Sequence, residues 1–185
     1  MPATPPSREA ARGAVASLVE RYSRNRDRYQ TSNYNEETCR AEFITPLFEA
    51  FGWDVTNRAG YAEQYKDVIH EEGIKVGDYT KAPDYTFRVA GVRKFFVEAK
   101  KPFVDLKTDP APAYQLRRYA WSAKLPLSIL TDFEELAVYD TRVRPRENDK
   151  PAVARILYVS YDELLERFDE LWDIFSKEAV LKGSF

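Results

Sequence analysis

Two short stretches decide the fold of this chain: KAPDYTF at residues 81–87 and KFFVEAK at residues 94–100. Both are rich in aromatic and β-branched residues, which favour β-strands, and Ala90-Gly91 between them suits a tight turn. We therefore predict a hairpin with one strand at Ala82–Val89 and a second at Arg93–Lys100.

The predicted hairpin carries two carboxylates and an amine. Side chains alternate along a strand, so Glu98 and Lys100 point to one face while Val97 and Ala99 face the opposite layer. Asp84 adds a second carboxylate from the neighbouring strand. Phosphodiester hydrolysis needs a positioned water, a lowered pKa of that water, and positive charge near the transition state. The pattern is therefore typical of a Mg²⁺-dependent phosphodiesterase, although either motif alone is common by chance.

Helices and further strands are predicted on both sides of the hairpin. Periodicity and capping signals favour helices from Ser7 to about Tyr29, from about Asn35 to Phe51, from Thr108-Asp109-Pro110 to about Lys124, and after the capping box of Ser160 and Glu163. Apolar runs favour strands at Trp53–Thr56, Leu127–Leu130, Leu136–Tyr139 and Val153–Val159. The polar stretch Asn57–Asp67 is expected to be a loop, and the fold class is α/β.

A proline at position 46 falls inside the second predicted helix. Pro46 cannot donate a hydrogen bond to the carbonyl of residue 42. The helix is therefore expected either to kink beside Glu42 or to restart with Thr45 as its cap.

Composition is that of a single domain with a core. The chain has 185 residues, 44% of them hydrophobic. Met1–Pro6 is expected to be a loose leader, and the absence of a signal peptide or membrane span favours a cytoplasmic protein without a membrane partner. Cys39 and His70 are the only cysteine and histidine, which excludes an intrachain disulfide and a cysteine/histidine zinc site. Any metal would have mainly oxygen ligands, which favours magnesium or manganese.

The net charge of −2 is unevenly distributed. Residues 1–50, 51–80, 81–124 and 125–185 carry net charges of 0, −3, +6 and −5, respectively. Only the segment that contains the two carboxylates is basic, as expected if they must meet a polyanion. A lysine-rich solvated surface explains the charge equally well when it is taken alone.

Three motifs, Pro83-Asp84, Glu98-Ala99-Lys100 and Gln115-Leu116-Arg117-Arg118-Tyr119, resemble the PD-(D/E)xK nuclease superfamily, in the branch with a Q-x-x-x-Y helix. Their flanking sequence is closer still to the N-terminal nuclease region of type I and type IIG restriction-modification enzymes. The resemblance implies a restriction-endonuclease-like core, in which a central mixed β-sheet is flanked by helices. It also implies that residues 1–34 are a leader and amphipathic helix, and that residues 35–185 are the nuclease domain of a longer protein.

The resemblance assigns roles to the hairpin residues. Asp84 and Glu98 match the metal ligands, and Lys100 matches the catalytic lysine that orients or deprotonates the attacking water. The carbonyl of Ala99 is expected to join the ligands, because a strand edge at the metal offers another hard oxygen.

Three residues outside the hairpin also match the family pattern. Glu42 matches a glutamate presented from a helix before the core, although by itself it fits a solvated helix position. Gln115 and Tyr119 match the motif after the core, and their spacing of four places them on one helical face. A tyrosine at such a position is also common in a core.

Lys81, Lys101, Arg117 and Arg118 are the expected phosphate contacts, because lysine and arginine supply most contacts to the DNA backbone. Surface cations need no such role, however. No element suited to reading base edges is visible, so specificity is expected to lie in other domains.

The leading hypothesis is a Mg²⁺-dependent endonuclease that acts on double-stranded DNA, with Mn²⁺ as a substitute ion. A methyltransferase or translocase domain is expected to follow, and two chains would be needed to cut both strands. One alternative is a catalytically silent nuclease fold that binds DNA or a protein partner. Another is an enzyme that acts on RNA or on recombination junctions.

Overall fold

The computed structural model describes residues 4–185. The helical segments are α1 (Arg8–Arg24), α2 (Arg26–Tyr29), α3 (Glu36–Cys39), a π-helical turn (Arg40–Ile44), α4 (Thr45–Ala50), α5 (Pro110–Ser122), α6 (Phe168–Phe175) and α7 (Lys177–Leu181). Two 3₁₀ turns lie at Glu63–Tyr65 and Tyr161–Glu163. The capping box of Ser160 and Glu163 forms as predicted, but it opens the second 3₁₀ turn rather than the final α-helix.

Six strands form one mixed sheet. In sheet order they are β1 (Val68–His70), β4 (Tyr85–Val89), β5 (Val92–Ala99), β6 (Leu127–Thr131), β7 (Glu135–Asp140) and β8 (Arg155–Ser160). β5 and β6 are parallel, and the other neighbours are antiparallel. A separate hairpin of β2 (Ile74–Val76) and β3 (Tyr79–Lys81) packs against α5. The predicted class, a central mixed sheet flanked by helices, is confirmed.

The predicted hairpin is the pair β4 and β5. Its turn uses Ala90 and Gly91 with φ angles of 49° and 79°, which match the left-handed geometry that such a turn needs. The sheet separates two buried clusters of apolar side chains. The larger cluster lies under α1, α4 and α6, and the smaller lies under α5.

The helix around Pro46 does not restart. Ile44 and Thr45 both have helical backbone angles, so the alternative in which Thr45 caps a new helix is wrong. The N–H of Thr45 instead reaches back five residues to the carbonyl of Arg40, which makes a π-helical turn. The carbonyl of Glu42, left without a helical donor by Pro46, accepts a hydrogen bond from Arg21.

The predicted strand at Trp53–Thr56 is wrong. Trp53 and Val55 are buried alternately, as in a strand, but their partners are not a neighbouring strand. The indole of Trp53 donates to the carbonyl of Phe175 at 2.8 Å, and the carbonyl of Val55 lies 2.8 Å from Nε2 of His70. The segment is therefore an irregular loop whose buried side chains pack into the core.

The N-terminal helix packs into the same core as the sheet. Ala11, Val15, Leu18 and Tyr22 are buried in the larger cluster. The hydroxyl of Tyr22 donates to Glu134 at 2.7 Å, which ties α1 to the turn between β6 and β7. Packing therefore runs without a break across the predicted boundary at residue 34. Within residues 4–185, no helix has the length and apolar character needed to cross a bilayer.

Candidate active site

Two carboxylates meet where β4 begins and β5 ends. Tyr85 pairs with Val97, so Asp84, one residue before β4, lies opposite Glu98. The N–H of Asp84 donates to Oε1 of Glu98 at 3.0 Å, and the N–H of Ala99 donates to Oδ2 of Asp84 at 2.7 Å. Each carboxylate is therefore held by a backbone amide of the other strand, and the peptide of Ala99 lies at the same point.

Glu98 is almost completely enclosed, with 2% of the residue exposed. Burial, and secondly the charge of Asp84, raise the pKa of Glu98 to about 8, while Lys100 opposes the shift. Two carboxylates in an enclosed site repel each other, and a cation between them would relieve that repulsion.

A short hydrogen-bond relay fixes Lys100. Its N–H donates to the carbonyl of Thr131 at 3.1 Å, which places it at the end of the parallel pair β5 and β6. Nζ of Lys100 donates to Oε1 of Gln115 at 3.1 Å, and Nε2 of Gln115 donates to the hydroxyl of Tyr119 at 3.0 Å. The hydroxyl of Tyr119 therefore orients the side-chain amide of Gln115. That amide in turn positions the ammonium of Lys100, which keeps its positive charge because the amide is neutral.

Glu36 is a third acidic residue beside this pair. It is the first residue of α3, which Asn35 caps through its side chain. Burial, and secondly the charge of Asp84, raise the pKa of Glu36 to about 6, whereas Lys100 opposes the shift. Glu36 and Asp84 also line the same cavity.

Glu42, the glutamate assigned from the motif pattern, lies elsewhere. It is exposed, and its carboxylate accepts a hydrogen bond from the hydroxyl of Tyr34 at 3.0 Å. No described hydrogen bond or ion pair joins Glu42 to Asp84, Glu98 or Lys100. Glu36, unlike Glu42, lines the same cavity as Asp84, and nothing in the sequence pattern distinguished the two glutamates.

The donor set fits a hard divalent cation. Asp84, Glu98 and Glu36 offer only oxygen atoms, which magnesium and manganese prefer. In the part of the chain that the structure describes, no group of three or more histidine, cysteine or acidic side chains is already arranged as a metal site. The fit therefore rests on the donor chemistry and on the mutual repulsion of the carboxylates.

The predicted phosphate contacts have different surroundings. Lys81 is exposed, Lys101 donates to the carbonyl of Ser32 at 3.3 Å, and Arg118 lies over the ring of Tyr114. Arg117 requires a correction, because only 1% of it is exposed and its Nη1 pairs with Asp149 at 2.7 Å. Arg117 therefore supports the fold from inside and presents no donor at the surface.

A cavity of about 1090 Å³ opens beside the site. Its lining includes Glu36, Arg40, His70, Asp84 and Tyr85. Five acidic side chains and two arginines line it, so the cavity is mainly acidic, and Asp84 connects it to the buried Glu98. A charged substrate could reach the carboxylates from this side.

We predict that the stability of the metal-free protein falls as pH rises from about 5 to about 8. Glu98 has a raised pKa in the folded state, so between its unfolded and folded values the folded chain binds more protons. The free energy of unfolding must then decrease with pH across that window. Urea unfolding in EDTA at several pH values measures this slope.

Replacement of Glu98 by glutamine provides the control for this prediction. The variant keeps a similar shape but does not ionise, so its stability should vary less with pH than that of the wild type. Equal pH slopes for the two proteins would show that Glu98 is not held in a site that disfavours its charge.

The sequence of this chain is similar to those of restriction enzymes. Residues 66–147 match the family model described as type I restriction enzyme R protein N terminus. The chain is 44% identical over 170 residues to the type II restriction enzyme and methyltransferase RM.Eco57I of Escherichia coli, an alignment that covers 91% of this chain. It spans only 17% of that curated relative.

A solved structure of the type IIG restriction endonuclease BpuSI also aligns with the chain. The alignment covers 78% of this chain and 17% of that one, with 18% identity and a TM-score of 0.42. The family match and the 44% identity carry the conclusion. They agree with the resemblance that the motifs predicted: this chain is similar to restriction enzymes, and its residues 66–147 match the N-terminal family of type I R proteins.

Proposed function

We propose that this chain is the cleavage domain of a restriction-modification enzyme, a Mg²⁺-dependent endonuclease of the PD-(D/E)xK type that hydrolyses double-stranded DNA. The observation that carries the proposal is the juxtaposition of Asp84 and Glu98, with Lys100 immediately after the end of the strand that carries Glu98. Kinship with restriction enzymes supports the same reaction class.

The protein's own residues would divide the work of hydrolysis. Asp84 and Glu98, with the carbonyl of Ala99 and with Glu36 nearby, would hold the magnesium ion. When bound, that ion polarises the phosphate and lowers the pKa of a coordinated water. Lys100, held by Gln115, would orient or deprotonate the attacking water.

Other parts of the chain would bind DNA. Lys81, Lys101 and Arg118 remain the proposed phosphate contacts. Unlike Arg117, none of these three side chains forms a buried ion pair with another described residue. One site per chain would cut one strand, so cleavage of both strands would require two chains. By analogy with the relative named as a restriction enzyme and methyltransferase, a methyltransferase domain would accompany this one in a longer protein.

Incubation with supercoiled plasmid tests the proposal. We expect nicked or linear DNA with Mg²⁺ or Mn²⁺ and unchanged plasmid in EDTA. Asp84→Asn should remove the activity in either ion. Cleavage that persists in EDTA, or that Asp84→Asn leaves intact, would contradict the assignment of the site.

A second candidate function is a silent nuclease fold that binds DNA without hydrolysis. The observation that favours it is the lack, within residues 4–185, of three metal-binding side chains already gathered at one point. Calorimetry separates the two functions. DNA binding together with no Mg²⁺ or Mn²⁺ binding would support the silent fold.

A further inference from the structure

Arg40 is a basic side chain of the candidate site to which the motifs assign no role. It begins the π-helical turn and lines the same cavity as Asp84 and Glu36. Its side chain is 19% exposed, so it is largely enclosed yet reachable from the cavity. Single π-helical turns are frequent at functional sites, because they redirect one side chain without ending the helix.

The guanidinium of Arg40 is attracted to Asp84 but not tightly bound to it. Nη1 lies 3.6 Å from Oδ1 of Asp84 and 3.8 Å from Oε1 of Glu71. Nη2 donates to the carbonyl of Asp84 at 3.4 Å, and Nε donates to the hydroxyl of Tyr85 at 3.3 Å. Charge-assisted hydrogen bonds are ordinarily about 2.7–2.9 Å long, so each of these contacts is weak.

Most of the hydrogen-bonding capacity of Arg40 is therefore unused. An arginine has about five N–H donors, of which two are engaged here. The guanidinium carbon lies 4.7 Å from the centre of the Tyr85 ring, and this contact supports the group from one side. The Tyr85 hydroxyl is itself 3.0 Å from Oγ1 of Thr45, which fixes that support to the helix.

We propose that Arg40 is a substrate-binding residue that exchanges partners. Before DNA binds, it neutralises part of the charge of Asp84. Once a divalent ion is bound by the carboxylates, the guanidinium turns to a non-bridging oxygen of the DNA phosphate in the cavity. The planar fork of arginine matches phosphate geometry, and a cation at Asp84 would repel a guanidinium only 3.6 Å away. This inference rests on the proposed function.

The exchange predicts effects of opposite sign in Arg40→Ala. Calorimetry with Mn²⁺ alone should show tighter binding than in the wild type, because Asp84 loses a competing cation. Affinity for a fluorescein-labelled DNA duplex, measured with Ca²⁺ in place of Mg²⁺, should fall about tenfold. The slope of log affinity against log salt should fall by about one.

Two further variants sharpen the test. Arg40→Lys keeps the charge but not the fork, so its DNA affinity should lie between those of the wild type and Arg40→Ala. Arg58→Ala removes a cation of the same cavity whose partner is Glu49, at 3.6 Å, and should leave Mn²⁺ affinity unchanged.

Wild-type DNA affinity and salt slope in Arg40→Ala would overturn the inference. Parallel loss of Mn²⁺ binding, DNA binding and thermal stability would also overturn it, because Arg40 would then have only a structural role. These binding measurements do not depend on cleavage. If the wild type failed to cut DNA but showed the opposite shifts, the proposed hydrolysis would fail while the role of Arg40 would stand.

Discussion

Replacement of Lys100 by alanine is expected to reduce DNA cleavage by about 10²- to 10⁴-fold, the range that a positioned proton-transfer group contributes. The ammonium lies at the end of β5 and is fixed by Gln115, whose amide is oriented by Tyr119. Its loss should affect the rate of hydrolysis and leave the fold intact, since no buried ion pair of Lys100 is broken. Single-turnover cleavage of plasmid, with a melting curve for each protein, measures both effects.

Lys101→Ala is the matched control for this prediction. Lys101 is the next residue along the chain, but its ammonium donates to the carbonyl of Ser32 rather than to Gln115. We expect Lys101→Ala to cut at nearly the wild-type rate at low salt and to bind DNA more weakly at high salt. Full cutting by Lys100→Ala would refute the proposed chemistry.

Replacement of Glu36 by glutamine is expected to lower cleavage and Mn²⁺ affinity by about 10- to 100-fold, as is typical for loss of an acidic group that supports a metal site. The reason is its position on the cavity that Asp84 also lines, where burial and then the charge of Asp84 raise the pKa of the Glu36 carboxyl. Calorimetry with Mn²⁺ and cleavage assays under the same conditions measure the two losses.

Glu42→Gln separates the geometric assignment from the motif assignment. Glu42 is bound to Tyr34 and has no described contact with the paired carboxylates, so its variant should cut DNA like the wild type. The reverse outcome, in which Glu42→Gln is inactive and Glu36→Gln is normal, would restore the motif assignment and contradict the arrangement described for the metal-free chain.

The hairpin that holds the site could be predicted because its signals are local. Aromatic and β-branched residues mark β4 and β5, and Ala90-Gly91 supplies a turn of the required handedness. The facing of Asp84 and Glu98 follows from that register. The proximity of Gln115 and Tyr119 could also be predicted, because residues four apart on a helix lie on the same face.

Other parts of the fold depend on distant residues and were missed. The three residues of β3 are all exposed, so they show no apolar alternation that could identify a strand. Trp53–Thr56 shows the alternation but takes its hydrogen-bond partners from Phe175 and His70. A local pattern cannot reveal such partners.

Charge and residue spacing in the sequence also could not decide two of the site assignments. Arg117 and Arg118 are adjacent in a basic segment, and only Asp149, thirty-two residues later, draws Arg117 into the interior. The choice between Glu36 and Glu42 depends on the π-helical turn, whose five-residue hydrogen bond changes the direction of the helix face. Pro46 indicates an irregular helix at this point but does not specify that the irregularity is a π-helical turn.

A crystal structure of the protein soaked in Mn²⁺ tests the central claim most directly. Anomalous scattering locates the ion without reference to activity. We predict one ion within bonding distance of carboxylate oxygens from both Asp84 and Glu98. An ion bound elsewhere, or ordered carboxylates at this site with no ion between them, would contradict the account.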